Sequence, residues 1–240
     1  AATGLSSSNL EWDTFSFSMW AKFSDPASPS WDEGQFIAAV GGDWHHEVWF
    51  DKTPVGSSNM QLVWSGNKMG KAYFNFEAYK NTVNQWHLYT FAFDRDNELG
   101  YGIFKKVCYI DGVRILNDSA PASTDTFYSY SGGMPNYGNN GYMTFGPESN
   151  KNRPFTGDIW MKNFQWFPKC LTQTEATALF NAGQNNFNLH TLPIFPTHSW
   201  PLHTNLNNVK TNRHLTATNG LSVSFGGSSG GASFTATANN

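Results

Sequence analysis

The sequence predicts an all-β protein, a two-sheet antiparallel β-sandwich with one short helix. Residues 86–94 carry apolar side chains on both alternating faces, which is typical of a central strand covered on both sides. Residues 107–110 form a second β-rich run that stops at Asp111-Gly112, a pair able to adopt the positive φ values of a two-residue hairpin. A length of 240 residues fits one large all-β domain.

Alternation and turn signals predict the other strands. The run FSFSMWAKF at 15–23 places Phe, Phe, Met, Ala and Phe on one face, against Ser, Ser, Trp and Lys on the other. The stretch SGNKMGK is a hairpin signal between two further runs. Strands are predicted at 35–40, 47–50, 60–64, 72–79 and 142–145.

One loop and one helix complete the pattern. Residues 117–140 are rich in Pro, Ser, Gly and Asn, and a loop of this length inside a compact domain is more often functional than idle. Thr172 and Glu175 have the spacing of a capping box, in which each side chain bonds the other residue's backbone N–H. With Gly183 as a stop signal, the sequence predicts a helix over residues 172–182.

Several of these segments carry a family resemblance. The pattern W-H-x-x-x-x-x-x-D at 86–94, followed by Y-I-D-G-V at 109–113, resembles the middle of a laminin-G-like, concanavalin-A-type jelly-roll domain. The segments 15–23 and 155–180 resemble the early core strand and the closing strand with its helical turn, in the same order. The resemblance implies the jelly-roll sandwich of lectins, pentraxins and adhesins, and with it a glycan or a cell-surface glycoprotein as the ligand.

The resemblance also implies a rearranged strand order. Domains of this family begin with an aromatic-bearing strand, Pro-Leu-Asp, an Asn-rich turn and a Gly-bounded hairpin ending in Ser-Phe. That pattern is missing before Phe15, but something similar stands at 199–234. These strands either fold back within the same chain, as in a circular permutation, or insert into an identical subunit by strand addition. The single domain 1–240 is therefore divided into a main sandwich (10–183), a connector (184–198) and C-terminal strands (199–240).

Composition limits the partners. Aromatic residues make up 16% of the chain and charged residues only 14%, so a soluble surface must consist mainly of Ser, Thr, Asn and Gly. Such a surface predicts an extracellular protein that is secreted or displayed on a cell or virion. The formal net charge of −3, with no basic stripe, argues against nucleic acid as a partner. No apolar run reaches the roughly 18 residues needed to span a bilayer.

Two cysteines, Cys108 and Cys170, are too few for a disulfide scaffold. A bridge between them would close a long loop and contribute about 4 kcal/mol by the loop-entropy estimate. The alternative is that both are small buried apolar residues, since Cys108 shares a strand face with Ile110.

The sequence favours a binding protein over an enzyme. A glycoside hydrolase needs two carboxylates that face one substrate. The same-face pairs are Glu11 with Asp13 and Glu47 with Asp51. Neither supplies the E-x-D-x-x-E pattern of the laminarinase-like hydrolases that share this fold.

Calcium often accompanies the family, so the resemblance implies Ca²⁺ as a possible cofactor. In the family an Asp follows Pro-Leu and commonly belongs to the site, but this chain has His203 there, and imidazole is a poor Ca²⁺ ligand. The remaining weak candidates for calcium ligands are Asp43, Asp158, Asn205 and Asn208.

Tryptophans give the strongest functional signal, because sugars stack their C–H faces on aromatic rings. Those in strand patterns are predicted to be core residues: Trp20, Trp64, Trp86, Trp166 and Trp200. Aromatic and amide residues in or beside loops are predicted to form a ligand-binding rim. They are Trp31, Trp44, His45, Tyr130, Asn136, Tyr137, Asn139, Asn140 and Tyr142. The alternative is that they cap the sandwich ends or make subunit contacts, as in a structural subunit of a filament or shell.

Overall fold

A computed structural model describes residues 2–3, 14–23, 35–40, 46–52, 60–66, 70–101, 105–115, 143–145, 159–184, 194–202, 216–217, 221–225 and 232–236. These residues form fifteen strands, one α-helix and a 3-10 helix at Lys80–Thr82. In chain order they are β1 (Ala2–Thr3), β2 (Phe15–Phe23), β3 (Gln35–Val40), β4 (His46–Lys52), β5 (Met60–Gly66), β6 (Gly70–Asn75), β7 (His87–Asp94), β8 (Lys105–Ile110), β9 (Val113–Ile115), β10 (Met143–Phe145), β11 (Ile159–Phe167), α1 (Gln173–Ala182), β12 (His198–Trp200), β13 (Thr216–Ala217), β14 (Leu221–Phe225) and β15 (Ala232–Ala236).

The strands form the predicted antiparallel β-sandwich. The smaller sheet has the order β10-β3-β4-β5-β6, and the larger sheet has the order β14-β15-β11-β2-β7-β8-β9, with β12 also paired to β11. Strands β1 and β13 form a separate two-stranded pair. All of these pairings are antiparallel.

Aromatic side chains fill the space between the two sheets. In the larger sheet, Phe15 stacks on Trp166 with ring centroids 4.6 Å apart, and Phe17 stacks on Phe91 at 4.9 Å. Trp64 of the smaller sheet is fully buried and meets Phe17 edge-on at 5.7 Å. Pairs of this geometry contribute about 0.5–1.5 kcal/mol beyond the area that they bury. The alternation seen in the sequence therefore decides which face of β2 lines the core.

The opposite face of the larger sheet is also covered. Helix α1 and Ile194 pack on Trp20, Leu88 and Phe167 there. A second group of buried residues on this face joins Ala176 of the helix to Val107 of β8. Strand β7 is consequently buried along its whole length, as the apolar residues on both of its faces predict.

The hairpin and the helix cap have the predicted geometry. Asp111 and Gly112 adopt φ values of 53° and 76° at the turn between β8 and β9. The Thr172 hydroxyl accepts from the Glu175 N–H at 3.2 Å, while a Glu175 carboxylate oxygen accepts from the Thr172 N–H at 2.9 Å. The Thr177 hydroxyl donates to the Gly112 carbonyl at 3.0 Å, so the helix is fastened to the hairpin turn.

The cysteines are buried free thiols, so the disulfide alternative is wrong. Cys108 lies in the core between the sheets, whereas Cys170 packs with Val107 and Ala176 on the outer face. The larger sheet separates the two sulfur atoms. Burial raises the pKa of both thiols.

Two local predictions need correction. The strand predicted at 72–79 ends at Asn75, where the Asn75 side chain accepts from the Glu77 N–H at 2.9 Å and starts a turn. Trp86, predicted as a core residue, precedes β7 and is only partly buried. Trp20, Trp64, Trp166 and Trp200 are buried, as predicted.

Two strands from the C-terminal part of the chain pair with β11 in the larger sheet. Strand β11 pairs with β2 along one edge, and with β12 and β15 along the other. Trp200 is fully buried against Phe164, with ring centroids 5.7 Å apart. These contacts place C-terminal strands beside the strand that precedes the helix.

A buried lysine links the two sheets. The Lys106 ammonium of β8 donates to the Trp64 carbonyl of β5 at 3.3 Å and lies 5.4 Å from the Trp64 ring centroid. Burial lowers the pKa of Lys106 well below its usual value of 10.5. The folded protein therefore disfavours the charged form of this side chain.

We expect Gly112→Ala to destabilise the protein more than Gly100→Ala, which serves as the matched control. Both glycines have a φ of 76°, and a side chain in that conformation costs about 1 kcal/mol or more. A Cβ at Gly112 would lie 2.6 Å from Thr177 Cα, whereas a Cβ at Gly100 meets nothing within 4 Å. Urea unfolding should give an additional loss of about 1–3 kcal/mol for Gly112→Ala. Equal losses would contradict close docking of the helix on this turn.

Lys106 should make stability depend on pH in a defined direction. Between its lowered pKa and 10.5, the unfolded state binds a proton that the folded state does not, so this group's contribution to stability rises with pH. Relative to Lys106→Met, the wild-type free energy of unfolding should increase by about 1.4 kcal/mol per pH unit across that window. Denaturant unfolding of both proteins over alkaline pH measures the difference. A difference that does not vary with pH would contradict the lowered pKa.

Candidate functional site

The rim residues predicted from the sequence lie outside the described residues. This holds for the nine aromatic, histidine and amide candidates, Trp31, Trp44, His45, Tyr130, Asn136, Tyr137, Asn139, Asn140 and Tyr142. It also holds for the four calcium candidates, Asp43, Asp158, Asn205 and Asn208. Both sets remain predictions.

A different group of aromatic and charged side chains comes together on the outer face of the larger sheet. Lys22 of β2 stands opposite Trp160 of β11 in the register. Ala21 stands opposite His87, so the preceding residue, Trp86, comes next to Lys22 on the other side. The Lys22 ammonium lies 4.6 Å from the Trp160 ring centroid and 5.5 Å from that of Trp86. One lysine thus lies between two indole rings, one on β11 and one just before β7.

A second lysine joins this group from the next row of the sheet. The Lys162 ammonium lies 4.5 Å from the Trp86 ring centroid and donates to the Gln184 side-chain oxygen at 2.9 Å. Lys162 is only 1% exposed, whereas Lys22, Trp86 and Trp160 are partly exposed. We call Lys22, Trp86, Trp160 and Lys162 the tryptophan–lysine cluster.

The pKa of Lys162 reflects its position in the cluster. Burial, and then the nearby charge of Lys22, lower the pKa of Lys162. A cation over an indole ring gains about 0.5–2 kcal/mol, depending on how far it is removed from water. The rings therefore hold both cations in place, although like charges repel.

A β-bulge positions the second lysine. The register of β11 shifts between Lys162 and Gln165, where Asn163 has a φ of 47°. The Asn163 N–H donates to the Pro201 carbonyl at 2.9 Å, and its side-chain amide donates to the Gln184 carbonyl at 2.8 Å. Gln184 follows the helix closely, so the end of α1, the bulge and the cluster are one connected unit.

The cluster offers surfaces suited to a polar ring compound. Two partly exposed indoles present π surface and ring edges, the partly exposed Lys22 presents N–H donors, and Gln184 adds an amide. The sequence did not reveal this group, because its members lie up to 140 residues apart. The alternation in β2 placed Lys22 on the outer face, but no sequence signal gave the register that sets it between Trp86 and Trp160.

His87 belongs to another polar group. Its Asp111–His87–Thr82 contacts resemble the carboxylate–imidazole–hydroxyl arrangement of a hydrolytic triad. The His87 Nδ1 lies 2.6 Å from an Asp111 carboxylate oxygen, and Nε2 lies 3.0 Å from the Thr82 hydroxyl. However, Nε2 is equally close to the Thr82 carbonyl, and the Thr82 hydroxyl donates to the Tyr79 carbonyl at 3.1 Å. The group therefore fastens the 3-10 helix to the hairpin turn and does not present a nucleophile.

Asp111 is the centre of this fastening. One carboxylate oxygen contacts His87, and the other accepts from the Leu88 N–H at 2.9 Å. The Asp111 N–H in turn donates to the Leu88 carbonyl at 2.9 Å. The His and Asp of the motifs at 86–94 and 109–113 thus maintain the fold.

Within the described ranges, no group of three or more His, Cys, Asp or Glu side chains could hold a metal ion. Among the helical residues that the structure describes, none form a segment long and apolar enough to cross a bilayer.

Comparisons with known proteins yield structural likeness only. No protein-family model and no curated protein matches the sequence. The binding domain of botulinum neurotoxin serotype D/C is 17% identical, with a TM-score of 0.46 over 73% of this chain and 38% of that one. The type G receptor-binding domain is 16% identical, with a TM-score of 0.44 over 73% and 39%. A proposed carbohydrate-binding protein from Bacteroides ovatus is 13% identical, with a TM-score of 0.49 over 92% and 51%. The chain thus spans about two fifths to one half of these structures.

Asp111→Asn should lower the free energy of unfolding by about 2 kcal/mol, because it weakens a charge-assisted hydrogen bond to the largely buried His87. The matched control is Asp96→Asn. The Asp96 side chain is 66% exposed, and its Oδ1 atom lies 3.8 Å from Nε of Arg95 in an ion pair. That change should cost less than about 0.5 kcal/mol. Thermal and urea unfolding provide the measurement. Equal effects of the two substitutions would contradict a structural role for Asp111.

Proposed function

We propose that this chain is a non-catalytic carbohydrate-binding module. The observation that carries the proposal is the tryptophan–lysine cluster, in which two partly exposed indoles stand beside polar donors on the outer face of the larger sheet. The C–H face of a sugar packs on an aromatic ring, while its hydroxyls bond to amide and ammonium groups. Sites held on strands keep their geometry better than sites on loops.

The loop residues predicted from the sequence belong to the same proposal as a second surface. Trp44, Tyr137 and Asn139 represent that rim. Substitutions can separate the two surfaces, because the cluster residues and the rim residues do not overlap.

We further propose the finer features that the family resemblance implies. These are a laminin-G-like jelly roll whose first strands stand at the C-terminus, the division into 10–183, 184–198 and 199–240, and a location outside the cell or on a virion. The pairing of β12 and β15 with β11 supports the strand rearrangement. The low proportion of charged residues supports an extracellular surface.

Assembly through strand addition, with identical subunits as partners, stays an alternative proposal. In the structure β15 occupies the edge of β11 within its own chain, which is the edge that a donated strand would use. Exchange of the same strands between two copies would preserve every backbone pairing. Oligomerisation by such an exchange is therefore compatible with the fold.

Trp160→Ala should reduce saccharide affinity at least about tenfold, which corresponds to about 1.4 kcal/mol, because it removes one stacking ring and releases Lys22. Tyr101→Ala is the matched control: Tyr101 is 39% exposed and stacks on Arg114 of β9, four strands away from β11. Glycan-array screening followed by calorimetry on the best ligand measures both.

A third variant, Trp44→Ala, distinguishes the two surfaces. Loss of binding in Trp44→Ala with full binding in Trp160→Ala would move the site to the loop rim. Absence of binding to any saccharide by the folded wild-type protein would contradict the proposed function.

A further inference from the structure

We propose that the tryptophan–lysine cluster is a subsite for the anionic substituent of an acidic saccharide. This inference rests on the proposed carbohydrate-binding function and specifies its ligand class. The shared chemistry is a carboxylate or sulfate oxygen that accepts a hydrogen bond from the partly exposed Lys22 and is attracted by the charge of the buried Lys162, next to a sugar ring placed against Trp86 or Trp160.

The positions of the ammonium groups support an anion. Both lysines approach the same indole, Trp86, at 5.5 Å and 4.5 Å from its ring centroid. Lys22 is also held by Trp160, and Lys162 by Gln184. A lysine side chain loses conformational entropy when a ligand fixes it in one position. The indole rings and the Gln184 amide already fix both lysines in the free protein, so ligand binding loses less entropy.

The electrostatics of the pair favour the same ligand. The charge of Lys22 contributes to lowering the pKa of Lys162, so the two ammonium groups repel each other in the folded protein. An anion near both would offset that repulsion and favour the charged form of Lys162. A charge-assisted hydrogen bond is about twice as strong as a neutral one, so the gain would exceed that of a sugar hydroxyl.

The surroundings favour a saccharide over other anions. The chain has a formal net charge of −3, with 15 basic and 18 acidic residues, which does not suit a polyphosphate backbone. The cluster combines its two cations with two indoles on one sheet face, so it can accept an anionic group and an adjoining apolar ring face together. Charged monosaccharide units have both features.

Binding of a galacturonic acid tetrasaccharide and of its methyl ester tests the proposal, because esterification removes the charge and keeps the ring. At low salt, the acid should bind at least about tenfold more tightly than the ester, and high salt should reduce the ratio. A neutral galactose tetrasaccharide and its sulfated form distinguish sulfate from carboxylate as the source of the anion. Preference for either anionic form over its neutral counterpart supports the proposal.

The variants locate the effect. Lys22→Gln should bring the ratio of acid to ester affinity close to one, and Lys22→Arg should retain most of it. The matched control is Lys80→Gln, which also removes one positive charge. Lys80 is the first residue of the 3-10 helix and forms an ion pair with Glu77. Lys162→Gln should act like Lys22→Gln. If that variant fails to fold because Lys162 is buried, the partly exposed Lys22 still decides the question.

The opposing outcomes are distinct. Equal affinity for the acid and the ester and also for the sulfated and neutral galactose tetrasaccharides, with binding still lost in Trp160→Ala, would overturn the anionic subsite and leave the carbohydrate-binding function intact. No binding of any saccharide would overturn both. Binding of duplex DNA with the same dependence on Lys22 would overturn the assignment to a saccharide.

Discussion

The structure depends on the pairing of β11 along both of its edges. One edge meets β2, a strand near the start of the chain, and the other meets β12 and β15 from its final quarter. An unpaired edge would expose a row of N–H and C=O groups beside the aromatic core. Because the pairing joins residues far apart in the chain, the sheet can form only after long loops have closed. The C-terminal strands are thus part of the sheet and not an appendage to it.

Three residues of the motifs at 86–94 and 109–113, His87, Asp111 and Gly112, have structural roles. His87 and Asp111 join the 3-10 helix to the hairpin, and Gly112 allows helix α1 to approach the same turn. The motif therefore marks a junction of three elements. Trp86 of the same motif belongs to the proposed ligand surface, so this short segment contributes to both the fold and the proposed site.

The features that could be predicted from the sequence are those that depend on residues close together in the chain. Alternation identified β2, and the capping box at Thr172 and Glu175 identified helix α1. Sequence reasoning misjudged Trp86, because a tryptophan next to a buried strand looks like a core residue until its neighbours are known. The tryptophan–lysine cluster was missed for a related reason. Period-two alternation tells which face of the sheet a residue occupies. The register between strands decides which residues are its neighbours, and that register is determined by the whole fold.

The bulge at Asn163 explains how the fold and the proposed site constrain each other. Ile159 and Met161 face the core, and so do Phe164 and Trp166, which a strand of unbroken alternation would not allow. The bulge adds one extra residue to β11 between Lys162 and Gln165, so Phe164 and Trp166 face the core as Met161 does. Trp160 and Lys162, which precede the bulge, lie on the outer face. Asn163 then bonds the Gln184 carbonyl, while the Gln184 side chain holds Lys162. The irregularity that completes the core is therefore the same one that fixes the second cation of the cluster.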